Sequence, residues 1–163
     1  LGGLLLAAAI VQVKYMISGT DFPYHIEIMS LFGGWAVMSI IFQQLVKGEN
    51  DFGLMRLAWA GCDVLLVTTF FYRATPPRGL LLIGYPLLIV ASGLFFRATL
   101  VRFTTVACLI SFAFLVFLGA IDTTPPQYVM IFAGCLAVLG FVVSYQVQRV
   151  RTLSRYYEHR RLE

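Results

Sequence analysis

A single carboxylate stands in the middle of a long apolar run. It is Asp63, within residues 55–72, which read MRLAWAGCDVLLVTTFFY. A carboxylate at that depth in hydrocarbon is costly, so it turns toward other helices or water. The chemistry open to it is a proton relay, a cation site, a ligand contact, or a polar lock between helices. Its helical neighbours one turn away are Trp59, Ala60, Leu66 and Val67, so its partner has to come from another segment. Ser39, Ser92 and Ser111 are candidates, and so is Tyr85. The expected state is a neutral carboxyl held by a hydrogen bond. Ion and proton paths need a series of polar groups, and no second acid lies deep in an apolar run, so structural and sensing roles rank ahead of transport.

Three other groups carry chemically interesting residues. Gly84-Tyr85-Pro86 lies inside another apolar run. The missing proline N–H there is expected to bend a helix and open a hinge. Asp21, His25 and Glu27 bring one imidazole and two carboxylates close together in sequence. That set could bind a metal or respond to pH, but a solvated interface is the simpler reading. Cys62, Cys108 and Cys135 each sit within apolar sequence, with no Cys-x-x-Cys spacing, and read as small hydrophobes. The chain has no phosphate-binding glycine loop, His-Glu-x-x-His, Gly-x-Ser-x-Gly or protein-kinase motif. No catalytic residue, metal or cofactor is assigned within it.

The elements that hold these residues follow from composition. Of 163 residues, 60% are hydrophobic and 12% charged, and mean hydropathy is +0.84. A soluble domain carries about 25% charged residues. The apolar runs are continuous rather than alternating, which favours helices over a β-barrel. The expected fold is all-α: a polytopic membrane bundle of six transmembrane helices near 1–18, 26–46, 55–72, 79–96, 101–120 and 127–147. Residues 1–148 form the transmembrane domain, and 149–163 a basic cytoplasmic helical tail. Spans of 18–21 residues suit a hydrocarbon core of about 30 Å. Thr-Pro-Pro at 75–77 and again at 124–126 marks two turns between antiparallel helices. Gly33, Gly34, Gly134 and Gly140 read as helix-packing positions.

Net charge is +4 with a pI near 9.2, and the basic residues lie in short links and the tail. That distribution orients a membrane protein and does not suggest nucleic acid as a partner. With both ends cytoplasmic, Lys47, Arg56, Arg97, Arg102, Arg149, Arg151, Arg155, Arg160 and Arg161 fall inside, against Lys14, Arg73 and Arg78 outside. Arg149, Arg151 and Arg155 are the principal orienting residues and can hold anionic headgroups. Val143, Val150, Leu153 and Tyr157 form a short apolar seam running into the tail.

Two stretches resemble a known group of proteins. Asp63-Val64-Leu65-Leu66 with Thr68-Thr69, then Gly84-Tyr85-Pro86-Leu87-Leu88-Ile89 and Arg97, resembles the six-span membrane modules of bacterial signalling kinases, sensor histidine kinases among them. Residues 147–158, VQRVRTLSRYYE, are similar to the C-terminal end of bacterial membrane-bound serine/threonine protein kinases, whose catalytic domain precedes the membrane region. Together the stretches cover roughly the last two-thirds of the chain. The resemblance implies a fragment of a longer protein of the bacterial inner membrane, with the ATP site upstream of Leu1 and no kinase residue within the chain. The expected role is anchoring, sensing and dimerisation, with the bilayer, a second copy and the attached kinase domain as partners. The alternatives are the sensor module of a histidine kinase or cyclase with a downstream output domain, and a small transporter or carrier subunit.

Overall fold

The computed structural model describes residues 9, 12, 13, 15, 16, 22–47, 52–74, 79–121 and 127–160. The described chain is helical, with no strand among the described residues. Its elements are α1 (Phe22–Lys47), α2 (Phe52–Arg73), a 3₁₀ turn (Gly79–Ile83), α3 (Gly84–Gly93), α4 (Ala98–Phe117) and α5 (Gln127–Arg160). Residues 9, 12, 13, 15 and 16 are also helical, and the rest of the expected first span lies outside the described residues.

Four segments are long and apolar enough to cross a bilayer: Phe22–Leu45, Gly53–Arg73, Ala98–Phe117 and Gln127–Ser154. A shorter apolar helix, Leu81–Gly93, accompanies them. The surface agrees with that reading. On α4 the side chains of Phe103, Val106, Ile110, Phe114 and Phe117 are exposed, at helical spacings of three and four. The opposite face buries Thr104, Thr105 and Cys108 beside Val101, Phe112 and Leu115. Large apolar groups outward and hydroxyls inward would expose far more apolar area than water-soluble monomers tolerate. In lipid this arrangement is the stable one, because polar groups there need partners inside the protein.

The chain divides into two compact units, Leu1–Trp59 and Ala60–Glu163, with the boundary inside α2. In the first unit α1 buries Ile28, Phe32, Ser39 and Phe42, with Trp35 half-buried between them. The steps of four and three make one continuous seam along the helix. Phe42 stacks on Trp59 at 6.0 Å, and Tyr15 stacks on His25 at 3.8 Å.

In the second unit α3, α4 and α5 pack against one another. The segment expected as a span over 79–96 is instead a 3₁₀ turn followed by a ten-residue α-helix. Pro86 therefore stands in the first turn of α3, where its missing N–H removes little. Its ring would clash with the Leu82 carbonyl in a continuous α-helix, so the chain winds as 3₁₀ before Gly84. The expected bend is thus a change of helix type. The turn to α4 is short: the N–H groups of Leu94 and Phe96 bond Ala91 and Gly93 carbonyls at 3.1 and 3.0 Å. Phe96 then takes φ 51°, a left-handed conformation that costs a non-glycine residue roughly 1 kcal/mol. Arg97 is extended and begins α4. At the far end of α4, Gly119 with φ 63° closes a Schellman turn: its N–H bonds Val116, and Ala120 N–H bonds Leu115, both at 3.0 Å.

Candidate functional site

The sequence-derived candidates Asp63, Tyr85 and Pro86 fall on α2 and α3, within the second unit. On α2 the residues Val64, Val67, Thr68 and Phe71 are buried along one face. On α3 Tyr85 is fully buried. The Tyr85 hydroxyl lies 2.9 Å from Thr68 Oγ1, and Thr68 Oγ1 donates to its own helix at the Val64 carbonyl, 2.7 Å away. Thr68 has one hydroxyl proton, and that proton is committed to Val64. Tyr85 is therefore the donor in the bond between the two helices.

Ring packing fixes the same contact. Phe71 meets Tyr85 edge to face at 5.1 Å and 87°. Gly84 makes room for that ring, since a Cβ there would come within 2.8 Å of Phe71 Cζ. A small residue, an aromatic donor and a proline thus stand in succession at one junction. Gly84 admits Phe71, Tyr85 reaches Thr68, and Pro86 sets the change of helix type.

Asp63 lies one residue before Val64, is half-buried, and takes part in a polar or electrostatic interaction. The expected bond from Tyr85 to Asp63 is not the one Tyr85 makes, because its hydroxyl goes to Thr68. Ser92 is likewise committed as a donor, bonding the Ile89 carbonyl at 2.7 Å. The same economy holds at Thr69, Thr104 and Thr105, whose hydroxyls donate to the carbonyl four residues earlier at 2.8–2.9 Å. A chain running from Tyr85 through Thr68 ends on a backbone carbonyl, which neither takes up nor releases a proton. The junction can lock two helices. It cannot pass a proton along.

The packing glycines are only partly those expected. Gly33, Gly34 and Gly134 have no neighbouring atom within 4 Å of a Cβ position. Gly140 does key a contact: a Cβ there would overlap the Thr105 side chain of α4. Gly93 does the same for α3 and α5, with a Cβ 2.7 Å from Val143 Cγ1. Sequence reasoning singled out Gly84 and Thr68 without their contacts, to Phe71 and Tyr85, and missed Gly93 and the pairing of Arg102 with Ser144. The spacing Gly140-x-x-x-Ser144, small residues one turn apart, was the available signal for the α4–α5 contact.

His25 is stacked on Tyr15, and Asp21 lies outside the described residues. Among the described residues no three His, Cys, Asp or Glu side chains gather as a metal site would require. Cys62, Cys108 and Cys135 are all free thiols. In the tail, Arg149 and Arg151 are exposed on α5, and Arg155 lies on the same helix. Val150 and Leu153 of the expected seam are half exposed, and the Tyr157 side chain lies outside the described residues. No protein-family model, curated protein or solved structure matches this chain.

Proposed function

We propose that this chain is the membrane-anchoring and sensing module of a bacterial signalling protein, with six spans and both ends in the cytoplasm. The four long apolar helices supply four of the spans, the 3₁₀ turn with α3 a fifth, and the N-terminal apolar run the first. The distribution of Lys and Arg, nine on one side against three, supports that orientation.

The observation that carries the reading is the length of α5. Its 34 residues extend about 51 Å, against a hydrocarbon core of about 30 Å. Its apolar part ends near Arg149, and the helix continues without a break to Arg160. A rigid helix leaving the membrane transmits a shift or rotation of its buried part to whatever lies beyond it. The half-exposed Val150 and Leu153 on that extension offer an apolar edge to a second copy. The attached output is a serine/threonine kinase domain, the proposal drawn from the resemblance of residues 147–158. The committed hydroxyls of the second unit disfavour a transporter.

A stimulus must bind two packings of the bundle differently to change the output. The junction of Gly84, Tyr85 and Pro86 with α2 is the proposed site of that difference. In the full-length parent protein, Asp63→Asn and Pro86→Ala are expected to change kinase output at unchanged membrane insertion, measured by autophosphorylation in native membranes. Normal signalling by both variants would reduce the module to an anchor. Solute flux in proteoliposomes that vanishes in Asp63→Asn would replace the signalling reading with transport.

A further inference from the structure

A groove lies between the first turns of α4 and the last apolar turns of α5, with a volume of about 210 Å³. It forms beside the point where Gly140 lets α5 approach Thr105, and both residues line it. Its polar end is built by Arg102, Ser144, Tyr145 and Gln148, and its apolar wall by Val106 and Phe141. None of its lining residues is a carboxylate.

We infer that this groove binds an anionic phospholipid, with the lipid phosphate at Arg102 and an acyl chain along Val106 and Phe141. The inference rests on the membrane reading of α4 and α5 and is independent of any kinase. Arg102 Nε donates to Ser144 Oγ at 3.4 Å, a long bond that tethers the guanidinium across the groove. The other four guanidinium N–H groups stay available, and they are arranged as the fork that suits a phosphate. Ser144 is buried and accepts the tether, so its own O–H is left to donate. Tyr145 and Gln148 add a hydroxyl and an amide at the rim.

The depth fits a headgroup. Arg102 is four residues into α4, about 6 Å along the helix from its start. Gln148 immediately precedes Arg149, the first charge on α5. The apolar wall identifies the source of the phosphate. Val106 is 54% and Phe141 74% exposed, on helices long and apolar enough to span the bilayer. A soluble anion gains nothing from that wall, whereas a diacyl lipid covers it. The volume, about seven water molecules' worth, accommodates a phosphodiester and the glycerol carbons next to it.

The test is lipid retention by the purified full chain in detergent, read by native mass spectrometry with phosphatidylglycerol and phosphatidylcholine as competing probes. The expected result is preferential retention of phosphatidylglycerol. That preference should fall about fivefold in Arg102→Gln, fall less in Ser144→Ala and in Arg102→Lys, and persist in Arg151→Gln. Arg102 is exposed and fills no core space, so an unchanged thermal midpoint is expected for Arg102→Gln. Equal retention by Arg102→Gln and wild type would overturn the site. An equal loss in Arg151→Gln would replace it with diffuse attraction to the basic tail. Displacement of the lipid by millimolar inorganic phosphate would assign the groove to a soluble anion instead.

Discussion

Each of the two units has its own way of bringing helices together, glycine-keyed contacts beside ring packing in the second and ring packing in the first. In the second, helices meet where one of them has almost no side chain: Gly84 under Phe71, Gly93 against Val143, Gly140 against Thr105. Among the described residues of the first, large rings meet, Phe42 on Trp59 and Tyr15 on His25, and the paired Gly33-Gly34 meets nothing within 4 Å. Lipid tails are as apolar as leucine, so burying apolar area gives helices no net reason to associate in a membrane. Close approach and directed polar contacts must do so. A glycine-keyed contact fixes distance and register together, most firmly at Gly140, where an added Cβ would lie 2.8 Å from the Thr105 Cβ, an atom that no rotamer change can move. A ring stack tolerates sliding. The second unit is therefore the more sharply specified of the two, and the first the more adaptable.

The largest expected effect tests that specification directly. Gly140→Leu should destabilise the second unit by about 1–3 kcal/mol or more, as overpacking does when no side chain can move away. Gly134→Leu, six residues earlier on the same helix with no neighbour within 4 Å, should be close to neutral. Denaturation of the purified protein in mixed micelles compares the two, and similar losses would show that glycine position is irrelevant to the fold.

A smaller effect is expected where rings stack. Phe42→Leu keeps most of the volume but removes the stack on Trp59, at a cost of roughly 0.5–1.5 kcal/mol. The near-ultraviolet circular dichroism of tryptophan should weaken in step, and an unaltered spectrum would mean that the stack is not formed in solution.

The Tyr85→Phe variant isolates the cross-helix hydrogen bond, leaving the edge-to-face contact with Phe71 in place. Bonds of this kind in membrane proteins average about 0.6 kcal/mol, so only a slight loss of stability is expected. Thr68→Val should match it, and the double variant should cost less than the sum of the two. Additive losses would place the two hydroxyls in separate interactions.

Much of the framework was legible because span length and continuous apolarity are direct readings of composition. The span expected over 55–72 is α2 at Phe52–Arg73, and the run from 127 into the basic tail is the single helix α5. The inward faces were not legible from hydrophobic periodicity, since a helix that is apolar all round has no polar stripe to point outward. Small residues and hydroxyls mark the interior instead, as Thr104, Thr105, Gly140 and Ser144 do. Being small is not enough to identify a contact, and Gly33, Gly34 and Gly134 are the examples. The partner of Tyr85 was missed for a related reason. Asp63 drew attention as the costlier group, yet Thr68, five residues further along the same helix, takes the bond.

The central claim is a membrane module with both ends on the cytoplasmic side and α5 continuing into the cytoplasm. Cysteine accessibility in intact cells tests it most directly, using a membrane-impermeant maleimide after replacement of Cys62, Cys108 and Cys135. The expected result is labelling from outside of Thr75→Cys and Thr124→Cys, with Glu49→Cys and Glu158→Cys labelled only after permeabilisation. Labelling of Glu158→Cys in intact cells, or of Glu49→Cys and Thr75→Cys from the same side, would contradict it.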